Sequence, residues 1–279
     1  MDYTKAEQRG NHTIVTGIKN FSLAQTLDCG QCFRWEGQGN EYTGIAHGRR
    51  LRLVLEGDCL TLADTPLQEF EYIWKDYLDL GRDYTQIREL YSTDPSLAKA
   101  TAFSPGLRVM RQEPWETLVS FILSQNCNIP RIKNMIAVLC QECGQALPCG
   151  GYAFPTPKTL AMLTPDDPAI VKVKAGYRAQ YIIEAARMVG QGRIDLAGLS
   201  PQPAAVIREA LLQIHGVGPK VADCVLLYGF GKVERYPVDV WIKRVMADMY
   251  PDGFPEMLTP TAGIAQQYLF HYVRNKDAS

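Results

Sequence analysis

Long apolar runs are missing from this sequence of 279 residues. No window offers ~18 uninterrupted apolar residues, so a membrane-spanning helix is not expected. Low-complexity tracts and internal repeats are also missing. What remains is an ordinary globular composition, 46% hydrophobic and 21% charged, with length for one large or two ordinary domains. Net charge is scarce too, since 29 basic and 30 acidic residues leave −1. That balance neither announces nor excludes a nucleic acid, so a polyanion site has to be a local basic patch or a set of backbone donors. The opening MDYTKAEQRGN is polar and mixed in charge, which is neither a signal nor a transit peptide. The eight cysteines follow no disulfide-framework spacing, and none lies beyond Cys224. Reduced thiols inside a cell are the expectation.

Two textures fill the chain. From about residue 12 to 62, the segments HTIVTGI, CFRW, EYTGIA, RLRLVLE and CLTL are short, often alternating, and separated by Gly, Asn and Asp. That pattern predicts an antiparallel meander. From about residue 65 the period turns helical. In EPWETLVSFILSQN, Trp115, Leu118, Val119, Ile122 and Leu123 form one apolar stripe. Further helices are predicted near 130–144, 178–190, 202–214, 219–229, 239–250 and 260–273, with an irregular Pro/Gly-rich connection at 146–157. The fold class is α+β, mostly helical. It comprises an N-terminal antiparallel β domain with its following helices over 1–100 and a helical domain over 101–279.

The stretch GVGPKVADC at 216–224 carries the chemistry. The preceding PAAVIREALLQI reads as a helix. The glycines Gly216 and Gly218 permit a tight turn, and Pro219 suits the first turn of the next helix. A helix–hairpin–helix with exposed amides can grip a phosphate without reading bases. An ordinary turn between helices fits the same residues, and the hairpin alone leaves both readings open. Lys220 adds to it. A lysine early in a helix opposes the helix dipole, and with partial burial this favours a neutral amine able to act as a nucleophile. Cys224 falls on the same face one turn later. Nineteen residues after Lys220 stands Asp239, in YPVDVWIKRV, at a predicted helix N-cap. By itself each residue has a plain structural explanation; the pair at this distance from a GVG hairpin is a more specific signal.

These residues resemble the helix-hairpin-helix DNA glycosylase superfamily, and within it the 8-oxoguanine DNA glycosylases. GQCFRW, SFILSQNCNIPRI, KAGYRAQY, GVGPKVADC, PVDVW and AGIAQQYLF match that family in its order, over roughly 12–272. The resemblance implies an amino-terminal β domain like half of a TATA-binding protein, followed by a helical catalytic domain. It implies a bifunctional glycosylase and lyase of base excision repair that flips 8-oxoguanine lying opposite cytosine out of duplex DNA. Lys220 would attack the deoxyribose C1′ and form a Schiff base, with Asp239 stabilising the cationic sugar. Cys224 and Phe270 would sandwich the flipped base, Gln266 would bond its Watson–Crick edge, and the Gly30 carbonyl would accept the extra N7–H. Asn126, Arg131, Tyr177 and Arg178 would fill the gap, wedge the stack and hold the orphaned cytosine; Gly216 and Gly218 would face phosphate. Lys172, Lys174, Arg178 and Arg187 against Glu184 make a local basic stripe. No cofactor is required, and a monomer in the cytoplasm or nucleoid of a prokaryote is expected.

Other readings compete. Cys29-x2-Cys32 and Cys140-x2-Cys143 have zinc or redox spacing, but the pairs lie far apart and GQCFRW already has a pocket role. An iron–sulfur cluster of the endonuclease III kind would need cysteines after the aspartate, and there are none. A non-catalytic hairpin module would not need Lys220 with Asp239, whereas a glycosylase for another damaged base would. Cys127 interrupts a run that is often all asparagine, which is expected to loosen the preference for cytosine. Trp241 stands where many eukaryotic members have histidine.

Overall fold

The computed structural model describes residues 1–276. Six strands, β1 (Lys5–Arg9), β2 (His12–Thr16), β3 (Trp35–Gln38), β4 (Glu41–Ala46), β5 (Arg49–Glu56) and β6 (Cys59–Ala63), form one antiparallel sheet ordered β1-β2-β6-β5-β4-β3. The expected meander holds for β3 to β6, except that the strand expected at CFRW (32–35) begins only at Trp35 and runs on to Gln38. The chain then differs from it: β2 pairs with β6, Val15 opposite Leu60, so the link from β2 to β3 crosses to the far edge by way of helix Leu23–Leu27. β1 was not among the expected strands. Its sequence KAEQR has no apolar alternation, and it is held by pairing with β2, Ala6 opposite Val15.

Alternation sets the buried face. In β5, Leu51, Leu53 and Leu55 point inward while Arg50 and Arg52 point out. The inner face packs against Leu23, Leu27, Phe70, Trp74 and Tyr77, and Trp35 Nε1 donates to Tyr77 Oη at 2.9 Å.

A second, larger core belongs to the helices and takes in Tyr84, Ile87, Tyr91 and Leu97. The division expected at residue 100 falls inside helix Pro95–Phe103, whose buried side chains belong to this core. At its centre runs helix Pro114–Leu123. The sequence predicted one apolar stripe, yet Glu116, Thr117 and Ser120 are buried as well, because the helix is surrounded. It packs against helices Arg178–Gly190 and Pro219–Cys224 and the π-helical turn Val225–Gly229. The other expected helices appear as Ile129–Cys143, Ala204–Leu212, Val240–Met249 and Ala262–Asn275. The predicted 219–229 run divides, α-helical to Cys224 and π-helical beyond.

The two cores meet on a buried polar seam. Arg108 Nη2 donates to Asp2 Oδ2 at 2.5 Å and Nη1 to the Asp79 carbonyl at 3.0 Å. Gln31, fully buried, gives Nε2 to the Arg108 carbonyl at 2.7 Å and accepts from Met110 N at 2.8 Å. This holds the turn carrying Gly30 against the helical body. No helix among the described residues is long and apolar enough to cross a membrane.

Candidate active site

The hairpin between helices Ala204–Leu212 and Pro219–Cys224 forms as the sequence predicts. Gly216 has φ +83°, and a Cβ there would lie 2.2 Å from the Tyr181 ring, so nothing larger fits. Gly218 is different. It has negative φ and would carry a Cβ into open space, so the fold itself does not demand glycine there.

Pro219 starts the next helix, which half-buries Lys220. The amine donates to Ser124 Oγ at 3.4 Å, a long bond, and sits 5.1 Å from the Phe121 ring centroid. No ion pair joins it to Asp239 among the described residues. Phe121 stacks on Tyr228 at 5.3 Å, Tyr228 Oη donates to Gln267 Oε1, and Gln267 Nε2 donates to the Cys29 carbonyl at 3.3 Å. A continuous path of contacts thus runs from the amine to the residue before Gly30.

Cys224 lies one turn beyond Lys220 and is buried. Burial pushes its thiol up to about 11, against the opposing pull of the Lys220 charge, so it stays a neutral thiol at physiological pH. Asp239 caps helix Val240–Met249, Oδ1 accepting from Ile242 N at 2.8 Å, as expected of an N-cap. It is only half-buried, which leaves its carboxylate partly open.

On helix Ala262–Asn275, Gln266 is 5% exposed and its Oε1 has no partner among the described residues. A buried acceptor without a donor is uncommon and costs stability, so its retention asks for a reason. Phe270 is half-buried with the Arg274 guanidinium 5.3 Å from its ring centroid. Gly30, at φ +86°, closes on the same corner: a Cβ would lie 3.2 Å from Ile129 Cδ1 and 3.8 Å from Arg274 Nη1.

Of the four residues expected opposite the lesion, Asn126, Tyr177 and Arg178 gather at one end of helix Pro114–Leu123. Asn126 adopts φ +49° and reaches Tyr177 Oη at 3.4 Å; Tyr177 is exposed. Arg131 is exposed on the first turn of helix Ile129–Cys143. Arg178 is not the solvated charge its position on a basic stripe suggests. It is 5% exposed, with Nε on the Gln125 carbonyl at 2.8 Å, Nη1 on Ala175 at 3.1 Å and Nη2 also on Asn126 at 3.3 Å.

Two family models divide the chain. The 8-oxoguanine DNA glycosylase N-terminal domain matches residues 13–118, and the HhH-GPD superfamily of base excision DNA repair proteins matches 119–253. A solved structure of MBOgg1 with a low-affinity DNA ligand is 44% identical, with TM-score 0.92, over 99% of this chain and all of that one. The chain belongs to the 8-oxoguanine DNA glycosylase family. The Clostridium acetobutylicum 8-oxoguanine glycosylase/lyase, solved with duplex DNA bearing cytosine opposite 8-oxoG, is 36% identical with TM-score 0.93 over 99% and 100% of the two chains. The Saccharomyces cerevisiae N-glycosylase/DNA lyase is 31% identical over 80% of this chain. A probable N-glycosylase/DNA lyase of Methanothermobacter thermautotrophicus is 34% identical over 66%. The chain spans 66% and 64% of those two curated relatives.

Within the family frame, sequence reasoning missed the supporting polar residues. Ser124, Gln125, Tyr228 and Gln267 hold the site together, and polar residues at a helix end or in an apolar run gave no sign of it. Among the described residues no cluster of His, Cys, Asp or Glu is placed to hold a metal, and the cysteines are free thiols.

Proposed function

We propose that the protein excises 8-oxoguanine from duplex DNA, preferring cytosine as the partner, and then cleaves the strand at the resulting site. The observation that carries this reading is the Lys220 amine: half-buried, beside the GVG hairpin, held by a long bond to the Ser124 hydroxyl, by the Phe121 ring and by the neutral Cys224 thiol, with no carboxylate paired to it among the described residues. An amine so loosely held is available to a ligand. The unpartnered Gln266 Oε1 supports the same reading, because it offers an acceptor to a base edge.

In this mechanism the lesion leaves the stack, since its sugar cannot be reached inside the duplex. Lys220 Nζ, deprotonated, forms a bond to C1′ as the C1′–N9 bond breaks and its electron pair leaves with the base, which is protonated. The charge that develops on the sugar is met by Asp239, whose interaction is strongest in the transition state. Opening of the C1′–O4′ bond gives the iminium between Nζ and C1′, with O4′ protonated. Loss of a C2′ proton then expels the 3′ phosphate. No metal or redox partner enters this balance, and one monomer supplies every group. Gly218, open toward solvent, suits close approach of a phosphate to the hairpin amides.

Borohydride trapping on 8-oxoguanine duplexes tests the reading. Lys220→Gln is expected to abolish the trapped species, with DNA binding largely kept because the hairpin amides remain. Trapping of that variant at the wild-type level would remove Lys220 from the reaction. Wild-type release of other damaged bases in preference to 8-oxoguanine would instead move the substrate assignment.

A further inference from the structure

We infer that Gln125 is a positioning residue that couples the base opposite the lesion to the catalytic hairpin; the inference rests on the glycosylase reading above. Three consecutive residues at the end of helix Pro114–Leu123 touch three working parts. Ser124 Oγ accepts from the Lys220 amine. Gln125 Nε2 donates to the Gly216 carbonyl at 3.0 Å, ninety-one residues away in the hairpin turn. The Gln125 and Asn126 carbonyls accept from the Arg178 guanidinium, and the Asn126 amide meets Tyr177 Oη.

The hairpin has little freedom on its other side. Gly216 is locked against the Tyr181 ring, which packs edge-on to His215 at 4.8 Å and to Tyr177 at 5.6 Å. His215 Nδ1 is in turn 2.7 Å from Glu184 Oε2. The Gln125 amide is therefore the polar link through which the 124–126 segment holds the turn.

That segment is also poised to change. Asn126 holds a left-handed backbone conformation, which asparagine adopts more readily than other residues with a side chain, so its amide and carbonyl are set at a sharp turn of the chain. Arg178, the buried fork that pins it, is the side chain whose geometry suits a cytosine edge. If Arg178 turns its fork to that base, the Gln125 and Asn126 carbonyls lose their donors. The displacement reaches Gly216 through the Gln125 side chain, and Lys220 lies four residues further on. Ser124, next in the chain, moves with the same segment. Partner-base identity then alters the rate of the chemical step in addition to binding.

The test is single-turnover excision of 8-oxoguanine opposite cytosine and opposite adenine, with wild type, Gln125→Met and Gln125→Glu. Gln125→Met keeps the length and loses the hydrogen bond. The cytosine rate is expected to fall about five- to tenfold further than the adenine rate, the worth of one hydrogen bond. Gln125→Glu should behave alike at pH 8 and, normalised to wild type at each pH, recover cytosine preference as pH falls toward about 4.5, where its carboxyl regains a donor. A purely structural defect has no reason to recover. Equal losses opposite both bases, or an unchanged preference, would overturn the coupling; if Gln125→Met does not fold, the pH series on Gln125→Glu decides alone. Wild type that excises 8-oxoguanine opposite both bases alike also sinks the coupling and the cytosine preference, while leaving the excision of 8-oxoguanine intact. Wild type that excises none sinks the reading itself.

Discussion

Arg108 and Lys220 are both basic side chains set against aromatic rings, and their surroundings differ. Arg108 is fully buried, its guanidinium 4.2 Å from the Tyr84 ring centroid, and two of its three nitrogens are bound to Asp2 and the Asp79 carbonyl. Only its Nε lacks an acceptor. Gln31 alongside has both ends of its amide engaged. At the candidate site the bonds are fewer and longer: Lys220 has a 3.4 Å bond to a hydroxyl and a neutral thiol beside it, Asp239 is half-open, and the Gln266 oxygen is unpartnered among the described residues. The first group holds the β domain on the helical body, and its members use one another. The second has polar atoms with long contacts or none among the described residues, as the proposed function requires. Satisfied polar networks rigidify a fold, and unsatisfied ones are tolerated where a ligand completes them.

Breaking the first cluster has the largest expected effect on stability. Asp2→Ala leaves Arg108 buried without its carboxylate, a loss of ~3–5 kcal/mol for breaking a buried pair. Urea denaturation of the variant measures it, and excision per folded molecule is expected to survive. A cost below ~1 kcal/mol would put the pair in the weak class of surface ion pairs and undo the contrast.

A second buried pair on the same seam sharpens the comparison through pH. Arg34 Nη1 meets Glu116 Oε2 at 3.1 Å, with Arg34 also on the Tyr152 carbonyl. Burial raises Glu116 from 4.5 to about 7, against the Arg34 charge and with help from Glu113. Raised in the fold above its unfolded value, Glu116 binds a proton more readily folded than unfolded. Its contribution therefore favours the fold below about pH 4.5 and is lost as pH rises toward 7, by on the order of 3 kcal/mol. Glu116→Gln should flatten stability between pH 5 and 7.5 in urea melts. An undiminished slope would assign it to other groups.

How much of this was legible follows the same division. Periodicity located strands β2, β4, β5 and β6 and the long helices from Pro114 on, but not the helices Leu23–Leu27, Tyr84–Tyr91 and Pro95–Phe103, and local chemistry placed Asp239 at a cap it does occupy. Strand β1 was hidden because its residues are polar and its partner supplies the reason for pairing. The crossing from β2 to the far edge was hidden because alternation says nothing of strand order. At the site, the hairpin, Lys220 and Asp239 were legible as a local pattern. Gln125, Ser124 and the burial of Arg178 were not, since their partners lie 91, 96 and about 53 residues away. A polar side chain at a helix end looks solvated until the distant segment that covers it is known.

The smallest expected effect is also the most discriminating. Gln266 lines a small cavity, about 10 Å³, among Tyr236, Ile242, Val245, Phe254 and Leu269, and its Oε1 is buried without a donor among the described residues. A side chain retained for the fold would lose stability on replacement. One retained for a ligand would not, because Gln266→Leu removes an unsatisfied acceptor from apolar surroundings. The variant is expected to keep or gain up to ~1 kcal/mol of stability. Its excision of 8-oxoguanine should nonetheless fall by about tenfold or more, the cost of losing a hydrogen bond to a base edge in a desolvated pocket. Thermal melts and single-turnover excision on one preparation separate the two. A lower melting temperature with unchanged excision would make Gln266 part of the scaffold, like Gln31, and the contrast between the clusters would no longer hold at this residue.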